Sequence, residues 1–212
     1  MEENDRDEES DTTVTMSTFS QHNFNDDSET LCISIIENMR EDYGLYVWPC
    51  AVILAEYVWQ QKHRFTGANV VELGAGTCLP GLVAAKVGAN VTLTDDSSRL
   101  EVLDNMRRVC DLNKLECNPT IILGADVLYD SNAFDDLFAT VTFLLRNSPG
   151  STFITSYHNR SGHHLIEFLM KKWGLKCLKL LDGFSILPSF KASQISGNIQ
   201  LAEIALMSKD NA

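Results

Sequence analysis

The sequence predicts an α/β domain in which helices cover both faces of a sheet that closes on an antiparallel strand pair. Three observations predict it. Strand-like and helix-like segments alternate from residue 49 to residue 173. The first strand of that series ends in Gly74-Ala-Gly76 and leads directly into a helix. The last two strand-like segments, 175–181 and 199–207, follow one another with only an irregular connection between them. At 212 residues the chain is long enough for one such domain and short for two.

Taken in order, residues 1–30 come first, rich in Asp, Glu, Ser, Thr and Asn with few apolar side chains. Such a segment buries too little to offset its chain entropy, so 1–30 is expected to be a disordered acidic tail and 31–212 the folded domain. A short strand at 31–36 marks the expected start of order. The aromatic stretch Tyr43-Gly-Leu-Tyr-Val-Trp48 leads to Pro49, which suits the first turn of a helix over 49–62. A buried strand at 68–73 precedes the glycine turn, and a small-residue helix at 79–87 stops at Gly88. A second strand, 90–94, runs into Asp95. Apolar residues at Val102, Leu103, Met106, Val109, Cys110 and Leu112 give 100–115 a helical stripe. Strands at 120–123 and 152–155 are each followed by a helix, at 133–145 and at 162–173, the latter capped by Ser161 and ended by Gly174.

Charge narrows the function classes. The formal net charge is -12, from 29 acidic and 17 basic residues. Residues 1–30 hold ten of the acids and a single base, Arg6, so the remainder of the chain is nearly neutral. Binding to a nucleic-acid backbone or to an anionic membrane surface rests on excess Lys and Arg, so neither is expected here. The amino terminus lacks a basic and then apolar leader, and no apolar run reaches the roughly 20 residues of a membrane helix. An intracellular, soluble protein is expected. The six cysteines never approach C-x-x-C spacing, which predicts reduced core thiols and no metal site.

Three segments carry chemistry. In Val70-Val-Glu72-Leu-Gly74-Ala-Gly76 a buried strand meets a glycine turn and then a helix, an arrangement that lets backbone N–H groups approach a ligand. Asp95 ends the next strand, 21 residues after Gly74, where a carboxylate accepts both hydroxyls of a ribose. Asp126 and Tyr129, in Ala125-Asp126-Val-Leu-Tyr129, stand one helical turn apart at the end of a later strand, and Asp126 is alternatively a turn cap. Thr155-Ser-Tyr157-His158-Asn-Arg160 ends the strand after that at the same rim, where Arg160 or His158 equally suits a loop salt bridge.

Together, Trp48-Pro49, Glu72-Leu-Gly74-Ala-Gly76, Leu79-Pro-Gly81, Asp95 and the D-x-x-Y motif Asp126–Tyr129 resemble the class I S-adenosylmethionine-dependent methyltransferases, and within them the methyltransferase-like protein-methylating group. The resemblance covers residues 31 to 209. It implies a Rossmann-like sheet and S-adenosyl-L-methionine as cofactor. Gly74 and Gly76 would line its methionine end, Glu72 would support the glycine turn, Asp95 would hold the ribose, and Trp48 and Ala125 would flank the cofactor. Asp126 and Tyr129 would face the transferable methyl as catalytic residues, with Tyr157 and Arg160 at the substrate rim. The implied substrate is a basic protein, a histone tail modified on arginine, with chaperones or chromatin factors as candidate partners and a nuclear and cytoplasmic location. The residues themselves do not choose arginine over lysine.

The sequence departs from that pattern twice. Cys78 stands where the broad G-x-G-x-G pattern has its third glycine. Between Asp95 and Asp126 there is room for one helix and one strand, where a complete class I fold has a helix, two strands and a loop. The usual third strand, at the sheet edge, is therefore expected to be missing, with weakened cofactor binding and a newly exposed neighbour. Two other function classes remain open on these residues: a non-catalytic interaction protein that keeps the fold, and a nicotinamide-dependent oxidoreductase sharing the glycine turn and ribose acid.

Overall fold

A computed structural model describes residues 17–38, 43–96, 99–113, 121–159 and 163–207. Four short strands form the parallel part of its main sheet: β3 (Asn69–Glu72), β4 (Asn90–Leu93), β5 (Ile122–Ala125) and β6 (Phe153–His158). The closing pair is β7 (Leu175–Asp182) and β8 (Ile199–Leu206), antiparallel to each other, with β8 also antiparallel to β6. The sheet order is β4-β3-β5-β6-β8-β7. Chain order reverses between β3 and β5, which opens a crevice at the carboxyl ends of those strands.

The helices follow from crossover connections between parallel strands. Helix α1 (Pro49–Gln60), with α2 (Lys62–Phe65) continuing its path, precedes β3. Helices α3 (Leu79–Lys86) and α4 (Leu100–Asn113) lie before and after β4. Their buried faces form one apolar cluster with the sheet, centred on Ile53, Leu54, Leu79, Leu82 and Val109. On the opposite face α5 (Phe134–Asn147) and α6 (His163–Lys172) pack Phe138, Val141, Ile166 and Leu169 against Phe153 and Ile204. A four-residue turn of helix, α7 (Ser189–Ala192), sits in the connection from β7 to β8.

The expected α/β class and closing strand pair are found. Among the described residues six strands form the main sheet, and no strand is found between α4 and β5. The expected third strand is not found among those residues, and β4 stands at the edge of the sheet they form.

The boundary at residue 30 is corrected. Ser17–Asn25 is a strand, β1, paired antiparallel with β2 (Thr30–Asn38) as a two-stranded sheet outside the main one. The turn between them is held by Asp26, whose Oδ1 accepts from the backbone N–H groups of Ser28 and Glu29. Only one inward position of β1, Phe24, is apolar, so its composition looks like tail; yet that ring is fully buried. Ile33 and Ile35 of β2 join it in the core. Asn113 of α4 donates to the Ser34 carbonyl and accepts from the Ser34 N–H, tying the hairpin to the domain. Residues 1–16 of the expected tail, and the Ser161 cap, lie outside the described residues.

The expectation for the cysteines needs a similar correction. Cys50 and Cys78 are buried, but Cys32 and Cys177 are exposed on strands of the hairpin and of the closing pair.

Candidate active site

The carboxyl ends of β3, β4 and β5 and the entry to α1 enclose a cavity of about 380 Å³, within the range of small-molecule sites. The turn after β3 forms its floor. Gly74 and Gly76 both take positive φ, at 58° and 50°, and a Cβ on Gly76 would lie 3.2 Å from the Gly44 carbonyl oxygen. The turn is therefore a cradle that only glycine backbone leaves open. Cys78 occupies the third position of the pattern with φ 66°, so it adopts the left-handed conformation a glycine would supply there.

Asp95 braces that cradle. Its Oδ2 accepts the Gly76 N–H at 2.8 Å and its Oδ1 the Asp96 N–H at 2.8 Å. A carboxylate offers about four acceptor sites, so capacity for ribose hydroxyls remains. Trp48, extended before Pro49, forms the facing wall with Tyr46, the two rings meeting edge-on at 5.7 Å. Ala125, Asp126 and Tyr129 line the other side.

Asp126 has φ 52°, a conformation uncommon outside glycine. It is buried at 8% exposure, its N–H donates to the Ser156 carbonyl at 2.7 Å, and its Oδ1 faces the His158 N–H at 3.5 Å. Asp is among the few residues that adopt this conformation readily, and the bond to the neighbouring strand holds it at the cavity wall. Tyr129 is 61% exposed at the rim.

Seven of the ten sequence-predicted site residues thus meet in one cavity: Trp48, Gly74, Gly76, Asp95, Ala125, Asp126 and Tyr129. Three do not. Glu72 lies beneath the turn, where its Oε2 accepts the Gly81 N–H at 2.9 Å and anchors the start of α3. It supports the turn and does not line the cavity. Tyr157 is buried on the opposite face of the sheet, in a cleft with Ile166, Met170 and Leu175, so its phenol does not reach the rim. Burial pushes that phenol up to about 12. Arg160 lies outside the described residues.

Sequence reasoning missed Gly44, Tyr46, Asp96 and Arg99 as lining residues, and Cys50 and His158 as neighbours of Asp126. Tyr46 was within reach, since it belongs to the same aromatic lead-in as Trp48.

Burial pushes the Glu72 carboxyl up to about 8, reinforced by the nearby Asp95 and Cys110 and opposed by the Gly81 N–H. Its Oε1 is buried without a hydrogen-bond partner. A carboxyl raised above its unfolded value contributes stability below about 4.5, and that contribution is lost as pH rises through about 8. The Glu72→Gln variant is expected to stay equally stable between pH 6 and pH 9, whereas the parent chain loses thermal stability over that range. Melts of both chains at the two pH values check this; parallel losses would contradict it.

The cradle, the ribose-range carboxylate and the apolar walls fit S-adenosyl-L-methionine, and comparisons with known proteins agree. A family model described as lysine methyltransferase matches residues 26–172. Histone-arginine methyltransferase METTL23 of Xenopus laevis is 39% identical over 170 residues, 71% of this chain and 73% of that protein. EEF1A lysine methyltransferase 3 of Mus musculus is 33% identical over 157 residues, 66% of this chain and 67% of that one. Among solved structures, the T. thermophilus 16S rRNA methyltransferase RsmC, in complex with AdoMet and guanosine, aligns with a TM-score of 0.56 at 15% identity. That alignment covers 90% of this chain and 51% of RsmC, so the chain spans about half of that protein, and the likeness is one of fold.

Proposed function

We propose, for a chain that belongs to the lysine methyltransferase family and takes its methyl group from S-adenosyl-L-methionine, that the acceptor is a basic protein side chain, namely an arginine of a histone tail. The observation that carries this reading is Asp126, a buried carboxylate fixed at the cavity wall with Tyr129 exposed beside it. The arginine assignment is supported by the names of the METTL23 relatives, while other relatives of similar identity are named for lysine.

Bound S-adenosyl-L-methionine supplies an electrophilic methyl on a sulfonium. No Ser or Cys nucleophile is required of the chain, whose work is alignment and exclusion of water, worth roughly 7–11 kcal/mol in favourable systems. Asp126 accepts charge-assisted hydrogen bonds from the guanidinium, orients it and balances its charge. Tyr129 steers the incoming side chain from the rim. Trp48 and Tyr46 close the opposite wall against solvent. We further propose a location in nucleus and cytoplasm and chromatin-associated partners.

The edge position of β4 favours a second reading, in which the shortened pocket binds cofactor weakly and the fold serves as an interaction module. Incubating the full chain with histones and isotopically labelled S-adenosylmethionine, followed by mass spectrometry of the modified residues, tests both. Labelled arginine is expected. Labelled lysine would overturn the arginine assignment alone, and no label at any residue would favour the interaction module.

A further inference from the structure

Three side chains with metal-ligand chemistry converge where the cavity wall meets α1. Cys50, Asp126 and His158 each present one ligand atom, and all three atoms lie within 4.8 Å of one another. Local spacing could not show this, because the residues come from three separate elements: the first turn of α1, the end of β5 and the end of β6.

The grouping is held from behind by Ser156. Its hydroxyl donates to the Cys50 carbonyl at 2.8 Å, and its own carbonyl accepts the Asp126 N–H at 2.7 Å. His158 follows two residues later on the same side of the strand. Its ring is seated against Gly197, where an added Cβ would lie 2.9 Å from Nδ1 and 2.7 Å from Cε1. The Gly197 backbone therefore bounds the ring on one side.

Thiolate, imidazole and carboxylate together form a ligand set for zinc and similar divalent transition metals, whereas magnesium and calcium take oxygen alone. A tetrahedral site needs bonds of about 2.0–2.3 Å, so the three ligand atoms would have to draw together slightly. Side-chain rotation supplies that movement. Cys50 is fully buried in the first turn of α1, with its sulfur close to the ligand atoms of Asp126 and His158. Asp126 lines the cavity, which leaves a fourth coordination position open to water from that side.

We propose that Cys50, Asp126 and His158 bind one zinc-class divalent cation, and that the bound metal withdraws Asp126 from the basic acceptor and so inhibits methyl transfer. On binding, the Cys50 thiol proton passes to solvent, and Sγ, one Asp126 oxygen and one His158 ring nitrogen donate to the metal. The cation competes with the basic protein substrate for the same carboxylate, so inhibition is competitive with that substrate and not with the methyl donor. The inhibitory consequence rests on the acceptor-binding reading of Asp126; the site itself does not.

Cobalt(II) titration of the reduced full chain tests the site directly, because a thiolate ligand gives a sulfur-to-cobalt charge-transfer band. The expected result is one-to-one saturation, displaced by zinc, and weakened at least tenfold in Cys50→Ser and in His158→Ala. Thermal melts of both variants establish that they are folded. Absence of the band from the parent chain, a band that persists in Cys50→Ser, or parent-like affinity in His158→Ala overturns the site. Tight zinc binding that leaves methyl transfer unchanged overturns the inhibitory consequence and leaves the site standing.

Discussion

Replacing Asp126 by alanine is expected to lower methyl transfer by about 10²–10³-fold, the scale of losing one buried charged contact made to the reacting group. The carboxylate is the acidic group fixed at the wall beside Tyr129, and its removal leaves the proposed basic acceptor without a counter-charge. Alanine at φ 52° adds backbone strain, so Asp126→Asn is the companion variant: asparagine tolerates the left-handed conformation and keeps the shape without the charge. Both variants should retain the parent far-ultraviolet circular dichroism and bind S-adenosylhomocysteine with similar affinity, while turnover of labelled cofactor falls. Turnover at the parent rate in both would remove Asp126 from the chemistry.

The largest expected effect on stability lies elsewhere, at Lys191. Its Nζ pairs with Glu56 Oε2 at 2.7 Å, and Glu56 is only 2% exposed on α1. The same ammonium stands 4.0 Å from the centroid of the Phe24 ring on β1. One side chain on α7 therefore joins the hairpin, α1 and the β7–β8 connection. Lys191→Ala would leave a buried carboxylate unpaired, at a cost of about 3–5 kcal/mol. Combining Glu56→Gln with Lys191→Met should recover most of that loss, because the desolvated charges are then both gone. Urea denaturation of the single and double variants checks this; equal losses in both would contradict it.

The parts of the fold legible in the sequence are those whose burial is written in apolar residues. The strands β3, β5 and β6 read as short apolar runs, and α4 as a stripe at helical spacing. The hairpin was legible only by half. β2 carries Ile33 and Ile35 inward, but β1 places Ser20 and His22 in the corresponding positions and buries only Phe24. Composition cannot distinguish such a strand from a solvated tail when its contribution to the core is a single ring.

The site divides in the same way. The glycine turn, Asp95 and the Asp126–Tyr129 pair could be placed because each ends a strand at the same rim. Tyr157 was placed there too, and the alternation of side chains along a strand is the reason it is not. Ser156 and His158 point toward α1 and Asp126, so Tyr157 between them points to α5 and α6. That parity was available from the sequence once Asp126 had been assigned a face. The convergence of Cys50 with Asp126 and His158 was not, because it depends on how α1 packs across β6.

The most direct test of the cavity as a cofactor site is calorimetric titration of the chain with S-adenosylhomocysteine, with Asp95→Ala alongside. Asp95 both braces Gly76 and lines the cavity, so its loss removes a support of the turn and a carboxylate from the wall at once. One-to-one binding by the parent chain, lost or weakened at least tenfold in the variant, is the predicted result. No binding heat from a folded parent chain would contradict it, and would mean that a sheet ending at β4 does not hold the cofactor.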